Sequence, residues 1–296
     1  MPTPDELARS LEATGDYQVL RRFQPLKRYR AAEDVRLNTA LAVDVETTGM
    51  SPKGDAIIQL ALVPFEYAPE SGHIYSVGAP VTFLEDPGRP IPAEITALTG
   101  ISDADVRGKR IDEAAVDEVV RSASLLIAHN ARFDRPFAER RLAVFREKPW
   151  ACSQSEVPWR SAGSRSSALE FLLIKRCGMF YAAHRADHDC LALIHVLATP
   201  LSNGELPFAL LFKSARRQSV RIWAENAPIE MKELLKLRRY RWSSGSEARP
   251  RAWFREIPAE RLDSELAWLY AQVYGGGKPR LRVDRLDATI RYSDRG

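Results

Sequence analysis

Residues 41–49 form an apolar run that is interrupted by two acids, Asp44 and Glu46. The run has the composition of a buried β-strand, in which residues two apart point to the same face of the sheet. An ionised carboxylate is very unfavourable in an apolar environment without a partner, and no Lys or Arg lies between Asn38 and Pro52. A divalent cation would supply the missing counter-charge. The alternative is a strand end where both acids reach solvent, which is commoner for an isolated pair.

The composition predicts a soluble, cytoplasmic protein of two domains. The chain has 296 residues, of which 45% are hydrophobic, enough for a sizeable core. No apolar stretch approaches the roughly 20 residues that span a bilayer, and the first residues lack a signal-peptide pattern, so we expect no membrane partner. Three cysteines, Cys152, Cys177 and Cys190, are too few and too scattered for a disulfide framework.

The charge is distributed unevenly along the chain. Residues 1–200 carry 24 Lys and Arg against 27 Asp and Glu, whereas residues 201–296 carry 19 against 12. A nearly neutral first part joined to a basic second part indicates that the second part helps to hold a polyanion. A solvated basic surface would have the same composition.

The periodicity predicts strands first and helices later. Three strands with short connections are followed by a fourth that alternates with helices, which is typical of a mixed α/β sheet covered by helices. The predicted strands are residues 40–46, 56–65, 74–83 and 125–128, and the predicted helices are residues 93–98, 111–121, 131–144, 166–176 and 186–197.

The chain divides into an N-terminal arm (1–36), a main domain (37–200) and a basic C-terminal domain (201–296). The second boundary follows a short polar linker that begins at Thr199, where the charge also changes. Beyond the linker, strand and helix patterns alternate, which predicts a small α+β unit.

Two further acids follow the predicted sheet. Asp134 closes the segment His129-Asn-Ala-Arg-Phe-Asp, where Asn130 is a candidate N-cap and the helix dipole favours an ionised acid in the first turn. Asp189 closes the segment His184-Arg-Ala-Asp-His-Asp. Positions five apart diverge by about 140° on a helix, so His184 and Asp189 share one site only if the histidine lies in the loop before the helix.

These three segments resemble, in order and spacing, the motifs of the DEDDh, or DnaQ-like, 3′-to-5′ exonuclease family, which includes the proofreading epsilon subunit of bacterial replicative polymerase. Asp44 and Glu46 match the first motif, Asp134 the second, and His184 and Asp189 the third. Residues 91–101 are also similar to the family, and the resemblance covers about residues 39–198. It implies an RNase H-like mixed five-stranded sheet flanked by helices.

The resemblance also implies a two-metal site. Two divalent cations, Mg²⁺ or Mn²⁺, would be held by the four matching acids, with Asp44 bridging them and His184 as general base. Such a pair activates water and neutralises charge during phosphodiester hydrolysis, and all-oxygen ligation suits these ions rather than zinc. Further residues near the first two motifs would grip the terminal nucleotide: Thr47, Thr48, Gly49, Met50, Asn130 and Phe133. Asn130 and Phe133 could equally be a helix cap and a core aromatic.

The C-terminal domain interleaves aromatic and basic residues. A single strand needs both phosphate neutralisation and base stacking, and Trp242, beside three arginines, is a candidate for stacking. Trp253 and Trp268 are better suited to the core of a small domain.

We therefore expect a metal-dependent 3′-to-5′ exonuclease that releases nucleoside monophosphates from single-stranded or frayed DNA 3′ ends during proofreading or repair. A DNA polymerase or a repair complex is the expected protein partner. Two alternatives stay open. One is an exoribonuclease that trims RNA, because the family contains both kinds of enzyme and no residue here reads the 2′-hydroxyl unambiguously, and the other is a non-catalytic nucleic-acid-binding accessory protein.

Overall fold

The computed structural model describes residues 1–31, 34–246 and 249–295. The chain forms two compact units, Met1–Phe212 and Lys213–Gly296. Phe208 and Phe212, which follow the predicted boundary at residue 200, both pack edge-on against Tyr67 and so belong to the first compact unit. Among the described residues, none of the helices combines the length and apolar character that crossing a membrane demands.

The first unit begins with helix α1 (Pro4–Ala13) and the two-residue strand β1 (Arg21–Arg22), and then builds a sheet of six strands. The sheet strands are β2 (Asn38–Thr47), β3 (Ile57–Tyr67), β4 (Ile74–Val77), β5 (Val81–Leu84), β6 (Leu125–Ala128) and β7 (Trp150–Cys152).

The sheet is mixed, as predicted, but the prediction of five strands is wrong. The strand order is β4-β3-β2-β6-β7, with β5 also paired to β3. Strand β2 runs antiparallel to β3 and parallel to β6, which is itself parallel to β7. The predicted strand 74–83 divides into β4 and β5 because Gly78 and Pro80 interrupt the ladder. Strand β7 has three residues, too few to show a period.

Helices flank this sheet, and two of them approach the middle strand β2. The helices of the first unit are α2 (Ala93–Thr99), α3 (Asp103–Val106), α4 (Glu113–Ser122), α5 (Ala131–Arg141), α6 (Ser153–Glu156), α7 (Leu169–Leu172), α8 (Ala186–Ala198) and α9 (Pro207–Ala215), the last of which contains the boundary between the units. Helix α8 packs against β2 and β3, whereas α5 packs against β2, β6 and β7. Both helices therefore bring their first turns to the central strand.

Two of the predicted helices take a different form. The predicted helix 131–144 ends at Arg141 and is followed by a 3₁₀ turn at Ala143–Arg146. The predicted helix 166–176 is the short α7, which continues as a π-helical turn at Leu173–Cys177.

Part of the predicted N-terminal arm is bound to the first unit. Strand β1 pairs in parallel with β8 (Met179–Phe180), just before the third motif. The next residue, Phe23, is buried, and the hydroxyl of Tyr29 lies 2.9 Å from Nδ1 of His195 on α8. These contacts link residues 21–30 to the helix that carries Asp189.

The second unit has the α+β composition that the sequence predicts. Its elements are β9 (Ser219–Ala224), α10 (Lys232–Leu237), β10 (Arg241–Trp242), β11 (Trp253–Pro258), α11 (Leu262–Gln272) and β12 (Val283–Leu286). The strands form an antiparallel sheet in the order β10-β11-β9-β12. Val220 and Ile222 of β9 form a core with Leu235 and Leu269 of the two helices, and Trp253 and Trp268 pack against it as expected.

Candidate active site

Strand β2 carries the two acids of the first motif near its carboxyl end. Asp44 lies opposite Ala61 of β3 and Glu46 opposite Gln59, so both acids occupy one face, and the ladder shifts register directly after Glu46. Carboxylate oxygens of Asp44, Glu46 and Asp189 all lie within 4.8 Å of one another. The structure thus brings together acids that are more than 140 residues apart in the sequence.

Asp189 reaches this group from the first turn of α8. Its Oδ2 accepts a hydrogen bond of 3.1 Å from the N–H of Arg185, and its Oδ1 accepts one from the hydroxyl of Tyr181. The start of the helix is attached to the sheet, because the N–H of Ala186 donates to Oε1 of the buried Gln59 at 3.1 Å. The carboxylate is therefore held by the loop before the helix as well as by the helix itself.

Asp134 is attached to the strand that carries the first two acids. It lies in the first turn of α5, is 3% exposed, and its Oδ1 accepts a 3.2 Å hydrogen bond from the N–H of Val45, between Asp44 and Glu46. Strand β6 is parallel to β2 and leads directly into α5. Asp134 therefore lies at the same end of the sheet as Asp44 and Glu46.

Burial and mutual repulsion make these carboxylates difficult to ionise. Burial raises the pKa of Asp44 well above its usual range, and the charges of Asp134, Asp189 and Glu46 raise it further. Burial, with the charge of Asp189 next in importance, raises the pKa of Glu46 to about 8. Burial also raises the pKa of Asp134 to about 7, although the hydrogen bond from the N–H of Val45 lowers it.

The cluster has the donor set of a site for a hard divalent cation. Within the described part of the chain, the charged groups that act on Asp44 and Glu46 are all acids. Several carboxylate oxygens converging without a cationic side chain match the ligands that Mg²⁺ and Mn²⁺ prefer. The half-buried pair near the carboxyl end of β2 therefore still requires the counter-charge inferred from the sequence.

His184 lies outside α8, as its spacing from Asp189 requires. It is exposed and has a positive φ of 65°, which is uncommon for a residue other than glycine. The pKa of Asp189 is raised mainly by burial, whereas the hydrogen bond from Tyr181 and the charge of His184 lower it. His184 is therefore close enough to the cluster to act on its charge.

The residues after Glu46 form a short, hydrogen-bonded turn. Thr47 and Thr48 are buried, whereas Met50 is 80% exposed. The hydroxyl of Thr47 donates to the carbonyl of Gly49 at 2.6 Å. A Cβ on Gly49 would lie 2.6 Å from a carboxylate oxygen of Asp55, so the turn has no room for a side chain there.

Asn130 and Phe133 lie at the start of α5. Asn130 is the N-cap residue but its side chain makes no capping hydrogen bond. Phe133 is half-buried and packs on Phe137 with ring centroids 5.1 Å apart. The Asn130 side chain therefore does not cap the helix. Phe133, by contrast, has an aromatic packing partner.

Sequence reasoning missed several residues around the cluster. Tyr181 contacts Asp189 from a loop whose course no periodicity predicts. Arg89 donates to both Thr48 Oγ1 and Asp55 Oδ1 at 2.8 Å and so supports the turn after the first motif from a distant loop. The polar Gln59 near the start of a largely apolar strand was the one available signal, because a buried amide needs a partner.

Comparisons with known proteins agree with this arrangement. The family model described as exonuclease matches residues 41–197, which is more than half of the chain. The DNA polymerase III subunit epsilon of Treponema pallidum is 27% identical over 172 residues, covering 55% of this chain and 76% of that protein. The 3′-5′ exonuclease DinG of Bacillus subtilis is 39% identical over 102 residues, covering 33% of this chain and only 10% of that protein.

The fold has a counterpart among solved structures. The zinc-ion-bound form of the E. coli ExoI–ssDNA complex aligns with a TM-score of 0.50 and 17% identity, over 75% of this chain and 63% of that one. This is a likeness of fold. The match to the exonuclease family model includes all five motif residues, from Asp44 to Asp189, and the chain therefore belongs to the exonuclease family.

Proposed function

We propose that this chain is a metal-dependent 3′-to-5′ exonuclease that releases nucleoside monophosphates from the 3′ ends of single-stranded or frayed DNA. The observation that carries the proposal is a convergence of carboxylates: oxygens of Asp44, Glu46 and Asp189 lie within 4.8 Å of one another, and Asp134 is hydrogen-bonded to Val45 between the first two. Burial raises the pKa of each of the four acids. Such a group is costly in a folded protein, and a bound cation offsets the cost.

The four acids would hold two divalent cations, Mg²⁺ or Mn²⁺. Asp44, whose pKa is raised by the charges of all three other acids, would be one of the ligands. When bound, such ions supply an activated water and neutralise the charge on the phosphate oxygens. The acids themselves set the positions of the ions, because Asp134 is tied to Val45 and Asp189 to Arg185.

His184 would take the proton from the attacking water. Imidazole is the usual side chain for proton transfer near neutral pH, and this one lies in a loop next to Asp189 rather than inside the helix. Thr47, Thr48, Gly49 and the exposed Met50 would grip the terminal nucleotide, with Asn130 and Phe133 assisting from α5. The turn that carries these residues is fixed by the hydrogen bond from the Thr47 hydroxyl to the carbonyl of Gly49.

The names of the relatives support the choice of DNA and the polarity. One is a DNA polymerase III subunit epsilon and another a 3′-5′ exonuclease, which makes proofreading or repair, with a polymerase or repair complex as partner, the first choice for this chain. The chain spans only a tenth of the length of the DinG exonuclease that it matches. The activity of the whole chain is therefore our proposal.

The test is hydrolysis of matched DNA and RNA oligonucleotides in Mg²⁺, Mn²⁺ or a chelator. We expect DNA to be shortened with either metal and not with chelator. Asp44→Asn and Asp134→Asn should abolish shortening. Asp187→Asn, which removes an acid of the same segment that is outside the cluster, should retain it. Shortening of RNA alone would favour the exoribonuclease alternative. Binding without shortening of either polymer would leave only the accessory-protein alternative.

A further inference from the structure

The second unit contains a basic cleft at the junction of α10, β11 and α11. The cleft has a volume of about 490 Å³, and four of the residues lining it are arginines: Arg238, Arg239, Arg255 and Arg261. Among its lining residues Glu265 is the one acid. Four guanidinium groups against one carboxylate leave a local charge of about three positive units, which is a strong field for an anion.

Two of the arginines are held rigidly by the buried acid. Glu265 is 4% exposed and accepts hydrogen bonds from Arg238 (2.9 and 3.1 Å), Arg255 (3.0 and 3.1 Å) and the hydroxyl of Tyr240 (3.0 Å). The guanidinium of Arg238 also lies 4.1 Å from the ring centroid of Trp268, which stacks on Tyr240. These contacts order the floor of the cleft before any ligand arrives, which lowers the entropy cost of binding.

The other two arginines are available to a ligand. Arg239 and Arg261 are exposed, and within the described residues neither guanidinium has an acidic partner. Their charges are therefore not compensated inside the unit. Because a guanidinium presents parallel N–H groups that match phosphate oxygens, a cluster of this kind suits a phosphate better than a chloride or a single carboxylate.

The backbone at Arg239 also departs from the usual pattern. Helix α10 ends in a Schellman motif, in which Tyr240 N–H bonds to Leu235 and Arg239 N–H bonds to Lys236. The residue at the left-handed position of this motif is usually glycine. Here it is Arg239, with φ of 66°. Glycine would fit this position without strain, yet the residue is an arginine that lines the cleft. This indicates that the Arg239 side chain has a binding role rather than a structural one.

We propose that this cleft is a phosphate-binding site that takes the phosphodiester backbone of a single-stranded nucleic acid. The choice of nucleic acid as the source of the phosphate rests on the proposed exonuclease function. Arg239 and Arg261 contact the backbone, while Arg238 and Arg255, fixed on Glu265, provide the field beneath it. The site holds the strand by its phosphates without reading its bases.

The test measures binding in the absence of hydrolysis. A labelled oligothymidylate is titrated in chelator against wild-type protein, Arg239→Ala/Arg261→Ala and the control Arg280→Ala/Arg285→Ala, which removes two exposed arginines of the same unit outside the cleft. Each phosphate contact contributes a slope of about 0.7 to the dependence of log affinity on log salt. The cleft variant should therefore lose a slope of about 1.4 and roughly 25-fold in affinity at 0.1 M salt. The control should lose clearly less.

A second variant, Arg239→Lys/Arg261→Lys, keeps the charge and should keep most of the salt slope. An unchanged thermal midpoint of the alanine variant excludes a folding defect. The proposal would be overturned if the cleft variant and the control lost oligonucleotide affinity equally. It would also be overturned if inorganic phosphate competed for binding while the cleft variant kept its full oligonucleotide affinity. Because chelator prevents hydrolysis, these outcomes do not depend on whether the acidic cluster is an exonuclease site.

Discussion

Replacing Asp134 with Asn should stabilise the metal-free protein while it abolishes hydrolysis. Burial raises the pKa of this carboxyl from 3.8 to about 7. Each pKa unit corresponds to about 1.36 kcal/mol, so an ionised Asp134 costs up to about 4 kcal/mol of folding free energy. Part of that cost is shared with the neighbouring acids, so we expect a gain of about 1 to 3 kcal/mol. The amide oxygen of Asn can still accept the hydrogen bond from Val45.

The sign of the pH dependence follows from the direction of the shift. A carboxyl whose pKa is higher in the folded than in the unfolded state makes folding less favourable as pH rises through the window between the two values. The cost of Asp134 is therefore absent below about pH 4, grows up to about pH 7 and is constant above. The stabilising effect of the Asn variant should grow over the same window.

The assay is thermal unfolding followed by tryptophan fluorescence in chelator and in Mg²⁺. In chelator near about pH 8, the Asn variant should unfold roughly 3 to 10 °C above wild type, and the gap should be smaller near about pH 5. Glu118→Gln, which removes an exposed acid on α4, should leave the midpoint within about 1 °C. Mg²⁺ should raise the midpoint of the wild type more than that of the Asn variant, which keeps Asp44, Glu46 and Asp189 but loses the fourth acid. A midpoint for the variant at or below the wild-type value near pH 8 would refute the reasoning.

Three further substitutions test the surroundings of the cluster. Tyr181→Phe removes the hydroxyl that donates to Asp189. The Mg²⁺ concentration for half-maximal hydrolysis should rise by about tenfold. No change would show that this hydrogen bond does not position the Asp189 carboxylate. Gly49→Ala places a methyl group 2.6 Å from a carboxylate oxygen of Asp55, and KM for a short DNA strand should rise, which steady-state kinetics would detect. Gln59→Leu leaves the first N–H of α8 buried without its acceptor, and urea unfolding should show a loss of about 1 to 3 kcal/mol.

The acids of the candidate site could be found from the sequence because their chemistry is local. A pair such as Asp44 and Glu46 inside an apolar strand is unfavourable without a counter-charge, and two further acids at helix starts follow it in the expected order. The spacing of His184 from Asp189 allows a shared site only if the histidine lies before the helix, and the structure has it there.

Features that depend on tertiary contacts could not be found in this way. The unit boundary follows Phe212 because α9 packs against an aromatic residue of β3, which no composition change records. The contacts of Tyr181 and Arg89 depend on the course of two loops. The raised pKa of Asp134 depends on its depth of burial, which the sequence does not show.

The polarity of hydrolysis is the sharpest test of the proposed 3′-to-5′ exonuclease activity. Single-stranded DNA with a label at its 5′ end and the same strand with a label at its 3′ end are each incubated with wild-type protein and Mg²⁺. We expect a ladder of progressively shorter products from the strand labelled at its 5′ end. The strand labelled at its 3′ end should release a labelled mononucleotide immediately. The Asp44→Asn variant should give neither product. Release of the 5′ label as a mononucleotide, internal cleavage, or undiminished hydrolysis by the Asp44 variant would contradict the proposed activity.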